Sequence, residues 1–267
     1  MFRTILRMTQ TELFDYLVDI LKEKDYNVIV GKNNILNGRE YIAAKGNIPI
    51  VLLAHLDTVF PDETRKNMSI YHDSEQGVIW SPNGLGADDR AGVYMILQIL
   101  ENTDLRPHIL FTTNEESTGI GAEAVSSKKE ELFGEVSYVI ELDRQGYKEC
   151  VFYDCDNPQF QKLIENYGFK TEQGTFTDIS IICPSWGVAG VNLSVGYLWE
   201  HSYVEHFYSA MWYDTYRKVL QMLNDKDAYS KTWKYIPKEI KIDIMKKYNK
   251  GMKKEKKQLY HWANDFN

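Results

Sequence analysis

Cysteine is scarce in this 267-residue chain: Cys150, Cys155 and Cys183 are odd in number and none stands in a CxxC pair. That argues against both a disulfide framework and a thiolate zinc site, so any metal would have to be held by histidines and carboxylates. No window approaches 18 consecutive apolar residues, and with 43% hydrophobic and 26% charged residues a globular protein with no membrane partner is expected. The N-terminus, Met1-Phe2-Arg3-Thr4-Ile5-Leu6-Arg7, lacks the apolar core and small-residue cleavage site of a secretory leader, and the expected address is cytoplasmic. Positive charge is also short, with 31 Lys and Arg against 38 Asp and Glu. The acidic body and the lack of zinc-finger or RNA-binding signatures argue against nucleic acid as a partner.

The charge is unevenly spread. Residues 227–267 hold 11 Lys and 5 Asp or Glu, a balance of +6, which leaves −13 on the first 226 residues. A main domain over 1–226 and a lysine-rich helical extension over 227–267 are expected, the helix from Ile236 onward carrying Ile236, Ile240, Ile244 and Met245 on one face. Its lysines read as a solvated face.

The body alternates strand and helix. Leu13, Tyr16, Leu17, Ile20 and Leu21 stand at helical spacing in Thr9 to Lys24, with Thr9 or Thr11 as the cap. Strand-like pieces at Tyr26 to Val30 and Glu40 to Ala44 lead to the apolar run Ile48 to Ala54, a strand buried on both faces that ends abruptly in His55-Leu56-Asp57. Residues i and i+2 of an extended chain point the same way, so Asp57 can sit behind His55 and accept a hydrogen bond from its imidazole, as happens behind metal-bound histidines. A hairpin is expected from Met68–Tyr71 and Gly77–Trp80. Gly84-Leu85-Gly86-Ala87-Asp88-Asp89 then enters a helix from about Ala91 to Glu101, where one aspartate suffices as a cap and two are present.

Pro107 to Thr113 is the next buried strand and delivers Glu115-Glu116, followed by a helix over Gly121 to Lys129. Val136 to Leu142 delivers Asp143. A helix capped by Asn157, the segment Ile179 to Cys183, a strand over Gly187 to Val195 and a helix over Ser209 to Leu223 complete the body. Such alternation predicts a three-layer α/β/α fold with a mostly parallel central sheet, in which ligands gather at the carboxyl ends of strands. His55, Glu115, Glu116 and Asp143 all fall there.

These motifs, in this order over most of residues 48–206, resemble the co-catalytic di-zinc exopeptidase superfamily, which includes the peptidase T-like tripeptidases. The resemblance implies that His55 binds one metal, that Asp88 in Gly86-Ala87-Asp88-Asp89-Arg90-Ala91-Gly92 bridges two, and that Glu115 is the general base beside the ligand Glu116. It further implies Asp143 and His201 as ligands and a cis peptide bond between Asp88 and Asp89. His206 is the alternative to His201, which the spacing to Glu205 favours. Asp57 takes a catalytic role behind His55. Gly174-Thr175-Phe176-Thr177-Asp178 is similar to the family's Gly-Thr-Asp turn with one residue added.

The implied cofactors are two divalent ions, zinc first, with cobalt or manganese as alternatives. The implied substrate is a small peptide, or an N-acyl amino acid if the enzyme is a deacylase on the same scaffold. A binding protein that has lost catalysis would be expected to lose part of the metal set. Only 34 residues separate Asp143 from Asp178, where many relatives insert a lid domain, so a lidless core is expected. The oligomeric state is left open.

Overall fold

The computed structural model describes residues 1–31 and 38–239. Among them two sheets are built from β1 (Asn27–Val30), β2 (Tyr41–Lys45), β3 (Ile48–His55), β4 (Tyr71–Asp73), β5 (Val78–Trp80), β6 (Pro107–Thr112), β7 (Tyr138–Arg144), β8 (Glu149–Val151), β9 (Lys170–Thr171), β10 (Gly190–Ser194), β11 (Tyr197–Leu198) and β12 (His206–Tyr208). The large sheet has the order β1-β2-β6-β3-β7-β10-β8-β9, and the small one β11-β12-β5-β4. The four central strands of the large sheet, β6-β3-β7-β10, run parallel. The outer pairs β1–β2, β2–β6 and β10–β8 are antiparallel.

Alternation along the central strands explains the three layers. Ile50, Leu52 and Ala54 of β3, with Tyr138, Ile140 and Leu142 of β7, enter one core with Leu13 and Leu17 of the helix Gln10–Glu23, Ile96 and Ile99 of the helix Ala87–Asn102, and Val219 of the helix Ser209–Asn224. Val51, Leu53 and Val139 enter the opposite core against Val125, Ile182 and Trp186. A strand covered on both faces has no solvent side, which is why these segments read as unbroken apolar runs. Thr9 starts the first of these helices with a capping box closed by Glu12.

Local departures from the expected elements have local causes. The hairpin forms from β4 and β5, with its first strand starting at Tyr71 rather than Met68. The helix expected over Gly121 to Lys129 is divided into Ile120–Val125 and Lys129–Leu132. The run Ile179 to Cys183 is helical through Trp186 and stops at Gly187, whose φ of 66° lies in the left-handed region that glycine enters without steric cost. The following strand is consequently shorter, Gly190–Ser194. The 34 residues between Asp143 and Asp178 hold only β8, the helix Pro158–Asn166 and β9.

Residues Met1–Ile236 form the first of two units into which the chain divides, and that unit is compact. Within the first, the segment after Asn224 is tied down by backbone hydrogen bonds from Ala189 to Trp233, from Trp233 to Ser137 and from Tyr235 to Gly187. The lysine-rich helix expected from Ile236 lies, beyond Glu239, outside the described residues. No helix of the described residues is long and apolar enough to cross a membrane.

Candidate active site

Strand register assembles the site. Leu53 of β3 pairs with Glu141 of β7, so two residues further on His55 and Asp143 leave the sheet side by side. His55 also pairs with Thr112 at the end of β6, which hands the chain to Glu115 and Glu116. The fourth contributor is the start of the helix Ala87–Asn102, where Asp88 and Asp89 have non-helical dihedrals and are joined by a cis peptide bond.

Asp88 occupies the middle. Its Oδ1 lies 3.0 Å from His55 Nε2, and its Oδ2 lies 3.2 Å from His201 Nε2. His55 Nε2 is also 3.3 Å from Asp143 Oδ1, while His201 Nε2 is 2.9 Å from Glu116 Oε2. The two oxygens of one carboxylate thus face two separate His–acid pairs. Donors around a tetrahedral ion with bonds of about 2.0–2.2 Å stand about 3.3–3.6 Å apart, slightly wider than these separations of 2.9–3.3 Å. His55 with Asp88 and Glu116, and His55 with Asp89 and Asp143, each bring donor atoms within 4.8 Å of one another. Asp89 is the weaker member, because its Oδ2 already accepts the His55 amide at 3.2 Å and its Oδ1 the Gly92 amide at 3.0 Å. It fixes the loop to the strand.

The remaining predicted residues fall around this centre. Asp57 Oδ1 lies 3.4 Å from His55 Nδ1, a long contact, and the two Asp57 oxygens accept the backbone N–H groups of Glu115 at 3.0 Å and Glu116 at 3.1 Å. Asp57 therefore ties the His55 strand to the Glu-Glu pair as well as backing the imidazole. Glu115 lines the cavity beside the donors, preceded by Asn114 in the left-handed region at φ 57°. His206 is turned away from the centre and stacks on Trp80. His108, on β6, accepts the Gly46 N–H at Nδ1 and donates from Nε2 to the Glu135 carbonyl.

Several supporting residues have contacts that the sequence did not assign to them. Glu205 is fully buried and accepts the Gly86 N–H at 2.6 Å and the Asp88 N–H at 3.0 Å, holding both ends of the loop that presents Asp88. The resemblance marked its position, four residues after His201, but not its function. Asp143 is oriented by Tyr197 Oη, which donates to Oδ1 at 3.1 Å, and by Thr177 Oγ1, which donates to Oδ2 at 3.0 Å. Asp178 accepts from Thr112 Oγ1.

The electrostatics are those of acids crowded together out of water. Burial, followed by opposing attraction to His55 and repulsion from neighbouring acids, raises the Asp143 carboxyl to about 6. Burial and the Asp88 charge raise Glu116 to about 7, and burial with the charges of Asp143, Asp178 and Glu116 outweighs His55 to raise Glu115 to about 9. Asp88 goes the other way: burial would raise it, but contacts with His201 and His55 prevail and lower it. Its hydrogen bond to His201 raises that imidazole to about 9. In His55, desolvation is outweighed by Asp143, Asp57 and Asp88, and the pKa lies well above the usual value. Protonated histidines act here as the cations of the site. Glu116 Oε1 is buried without a donor, an orphan that a cation would satisfy. Divalent metals fit such a His and carboxylate set.

Paired His–carboxylate clusters at the carboxyl ends of parallel central strands suit a metal-dependent hydrolase. Residues 35–177, more than half of the chain, match Peptidase family M28, and the chain belongs to that family. It is a metallopeptidase, a hydrolase of peptide bonds. The match contains His55, Asp88, Glu115, Glu116 and Asp143 and stops before His201. Among solved structures, the chain is similar to a tripeptidase from Staphylococcus aureus subsp. aureus Mu50, with a TM-score of 0.68 and 15% identity over 86% of this chain and 97% of that one. Aminopeptidase PepT from Bacillus cereus gives 0.68 and 14% over 86% and 97%. An aminopeptidase from the archaeon Desulfurococcus kamchatkensis gives 0.63 and 13% over 84% and 93%. At these identities the likeness shows the fold. No curated protein matches the chain.

Proposed function

We propose that the protein is a two-zinc exopeptidase for small peptides, with cobalt or manganese able to replace zinc. The observation that carries this reading is the division of Asp88 between two His–acid pairs. His55 and Asp143 would hold one ion, His201 and Glu116 the other, and Asp88 both. Bound there, the metals supply Lewis acidity that polarises the scissile carbonyl and acidifies a water.

The protein's own groups do the rest. Glu115 takes a proton from the attacking water as its oxygen bonds to the carbonyl carbon, then passes that proton to the departing nitrogen when the C–N bond breaks. Asp57 keeps the His55 ring oriented and holds the amides of Glu115 and Glu116 in place. Tyr197 and Thr177 fix the Asp143 carboxylate. The positive φ values at Asn114 (57°) and His201 (59°), uncommon for non-glycine residues, sit beside the base and at a donor, where such conformations are retained for function.

The test is zinc stoichiometry by metal analysis together with turnover of free peptides against N-acyl amino acids. Two zinc ions per chain and hydrolysis of free peptides, lost to chelator, are expected. Full activity at one ion per chain overturns the two-metal reading, and preferential cleavage of N-acyl amino acids turns it into a deacylase.

A further inference from the structure

The cavity beside the donors has a volume of about 290 Å³, at the small end of ligand pockets, which run roughly 300–1,000 Å³. Five of its lining residues, Asp88, Glu115, Glu116, Asp143 and His201, belong to the centre already described. The other two charged residues in its wall are Arg144 and Glu200. They are opposite in sign, and no ion pair joins them among the described residues, although Glu200 feels the Arg144 charge. Arg144 Nη2 donates to the Gln173 carbonyl at 3.3 Å, while its Nε has no acceptor. Glu200 Oε1 accepts from Gln145 Nε2 at 2.6 Å, while its Oε2 has no donor. Gln145 Oε1 in turn accepts the Trp199 N–H at 3.3 Å, so Glu200 is braced against its own loop. Trp199 and His201, on either side of Glu200, both have left-handed φ, 60° and 59°.

Charge balance makes the pair informative. Asp88, Glu115, Glu116 and Asp143 carry four negative charges when ionised, which two divalent ions neutralise. Glu200 and Arg144 are then the charges of the cavity wall left over, both half-buried and each with one buried atom, Glu200 Oε2 and Arg144 Nε, that has no partner. A short peptide with free ends brings their complements, an ammonium and a carboxylate. Both residues line the one cavity of about 290 Å³, and an extended residue spans about 3.3–3.6 Å, so a peptide of many residues cannot keep both of its ends inside it.

We propose that the preferred substrates are peptides of dipeptide size with both ends free, their α-ammonium bound by Glu200 and their carboxylate by the Arg144 guanidinium. Arg suits the second task because its planar fork matches a carboxylate. The assignment rests on the exopeptidase reading above and gives it a substrate class.

Zinc-loaded Glu115→Gln protein serves for binding without turnover. Calorimetry would compare alanyl-alanine with its C-terminal amide and its N-acetyl derivative. Each cap should weaken binding on the order of 10- to 100-fold, the range of hydrogen bonds to charged groups. Adding Arg144→Gln should weaken alanyl-alanine to a similar extent and erase the penalty of amidation alone. Glu200→Gln should erase the penalty of acetylation alone, and Arg144→Lys, which keeps the charge without the fork, should recover part of the binding. Unchanged thermal midpoints would show the variants folded. Equal binding of capped and free peptides, or cap penalties that persist in the matching variants, overturns the proposal. Wild-type kinetics separate the two readings: cap-sensitive binding with no cleavage of alanyl-alanine defeats the peptidase reading and leaves the anchors standing. Cleavage of capped or long peptides as fast as alanyl-alanine defeats the anchors and leaves the peptidase.

Discussion

Glu205→Ala should damage both the fold and the metal site, because one buried carboxylate holds both ends of the Asp88 loop. Glu205 is fully buried and accepts two backbone N–H groups, from Gly86 at 2.6 Å and Asp88 at 3.0 Å. Truncation leaves both donors inside the protein without an acceptor, at about 1–3 kcal/mol each, so roughly 2–6 kcal/mol in all, before any cavity cost. That is a large share of a typical total of about 5–15 kcal/mol. At about 2–4 °C per kcal/mol for domains somewhat smaller than this one, the thermal midpoint should fall on the order of 10 °C. Arg65, a buried cation whose lowered pKa reflects burial opposed by the Glu205 charge, loses its counter-charge too. Glu205→Gln keeps one acceptor but points an amide N–H₂ at a backbone N–H, so about half the loss should remain. Zinc affinity should fall in the same order, since Asp88 is presented by the loosened loop. Thermal denaturation without metal and calorimetric zinc titration of both variants provide the check. A Glu205→Ala protein with the wild-type midpoint and wild-type zinc affinity would refute the reasoning.

Four further outcomes are expected. Glu115→Gln should retain both zinc ions while kcat drops about 10²–10⁴-fold, the usual worth of a general base; Glu116→Gln should lose zinc first, and metal analysis beside kinetics distinguishes them. Metal uptake near neutral pH should release protons and strengthen with pH up to about 9, because His201, raised to about 9, holds a proton that the metal must displace; calorimetry in buffers of different ionisation enthalpy would count them, and zero release would contradict the His–acid pairing. By the same shifts the metal-free fold binds more protons than the unfolded chain, through Glu116 at about 7, Glu115 at about 9 and His201 at about 9. Its stability should therefore fall as pH rises from about 5 to 9, and the midpoint gained with zinc should grow; the lowered Asp57 and Asp88 act in the other direction only below their usual 3.8. Gly92→Ala should cost zinc affinity and stability together, since a Cβ there would stand 2.2 Å from the Leu142 carbonyl and 2.6 Å from Asp89 Oδ1; wild-type metal binding in that variant would show that the loop can shift freely.

The sequence alone determined the strands that end in His55 and Asp143 and the order of the acidic motifs. Those signals are local: a strand buried on both faces must be apolar throughout, so a His or Asp at its end stands out. Other features were decided by contacts between residues far apart in the chain. The apolar run Ile179 to Cys183 suits a strand or a helix equally, and packing against Val125 makes it a helix. β5 pairs with β12 across more than a hundred residues, which no periodicity reveals. Glu205 stands out in the sequence only by its spacing from His201, and its role appears when it meets Gly86 and Asp88; Asp89 looks like a second cap until its oxygens meet the His55 and Gly92 amides. The division of the Asp88 oxygens between His55 and His201 likewise depends on the β3–β7 register and on a loop 113 residues further along. Residue types and their spacing are written in one dimension; which oxygen faces which nitrogen follows only from how the burial of two apolar cores sets the strands and loops against one another.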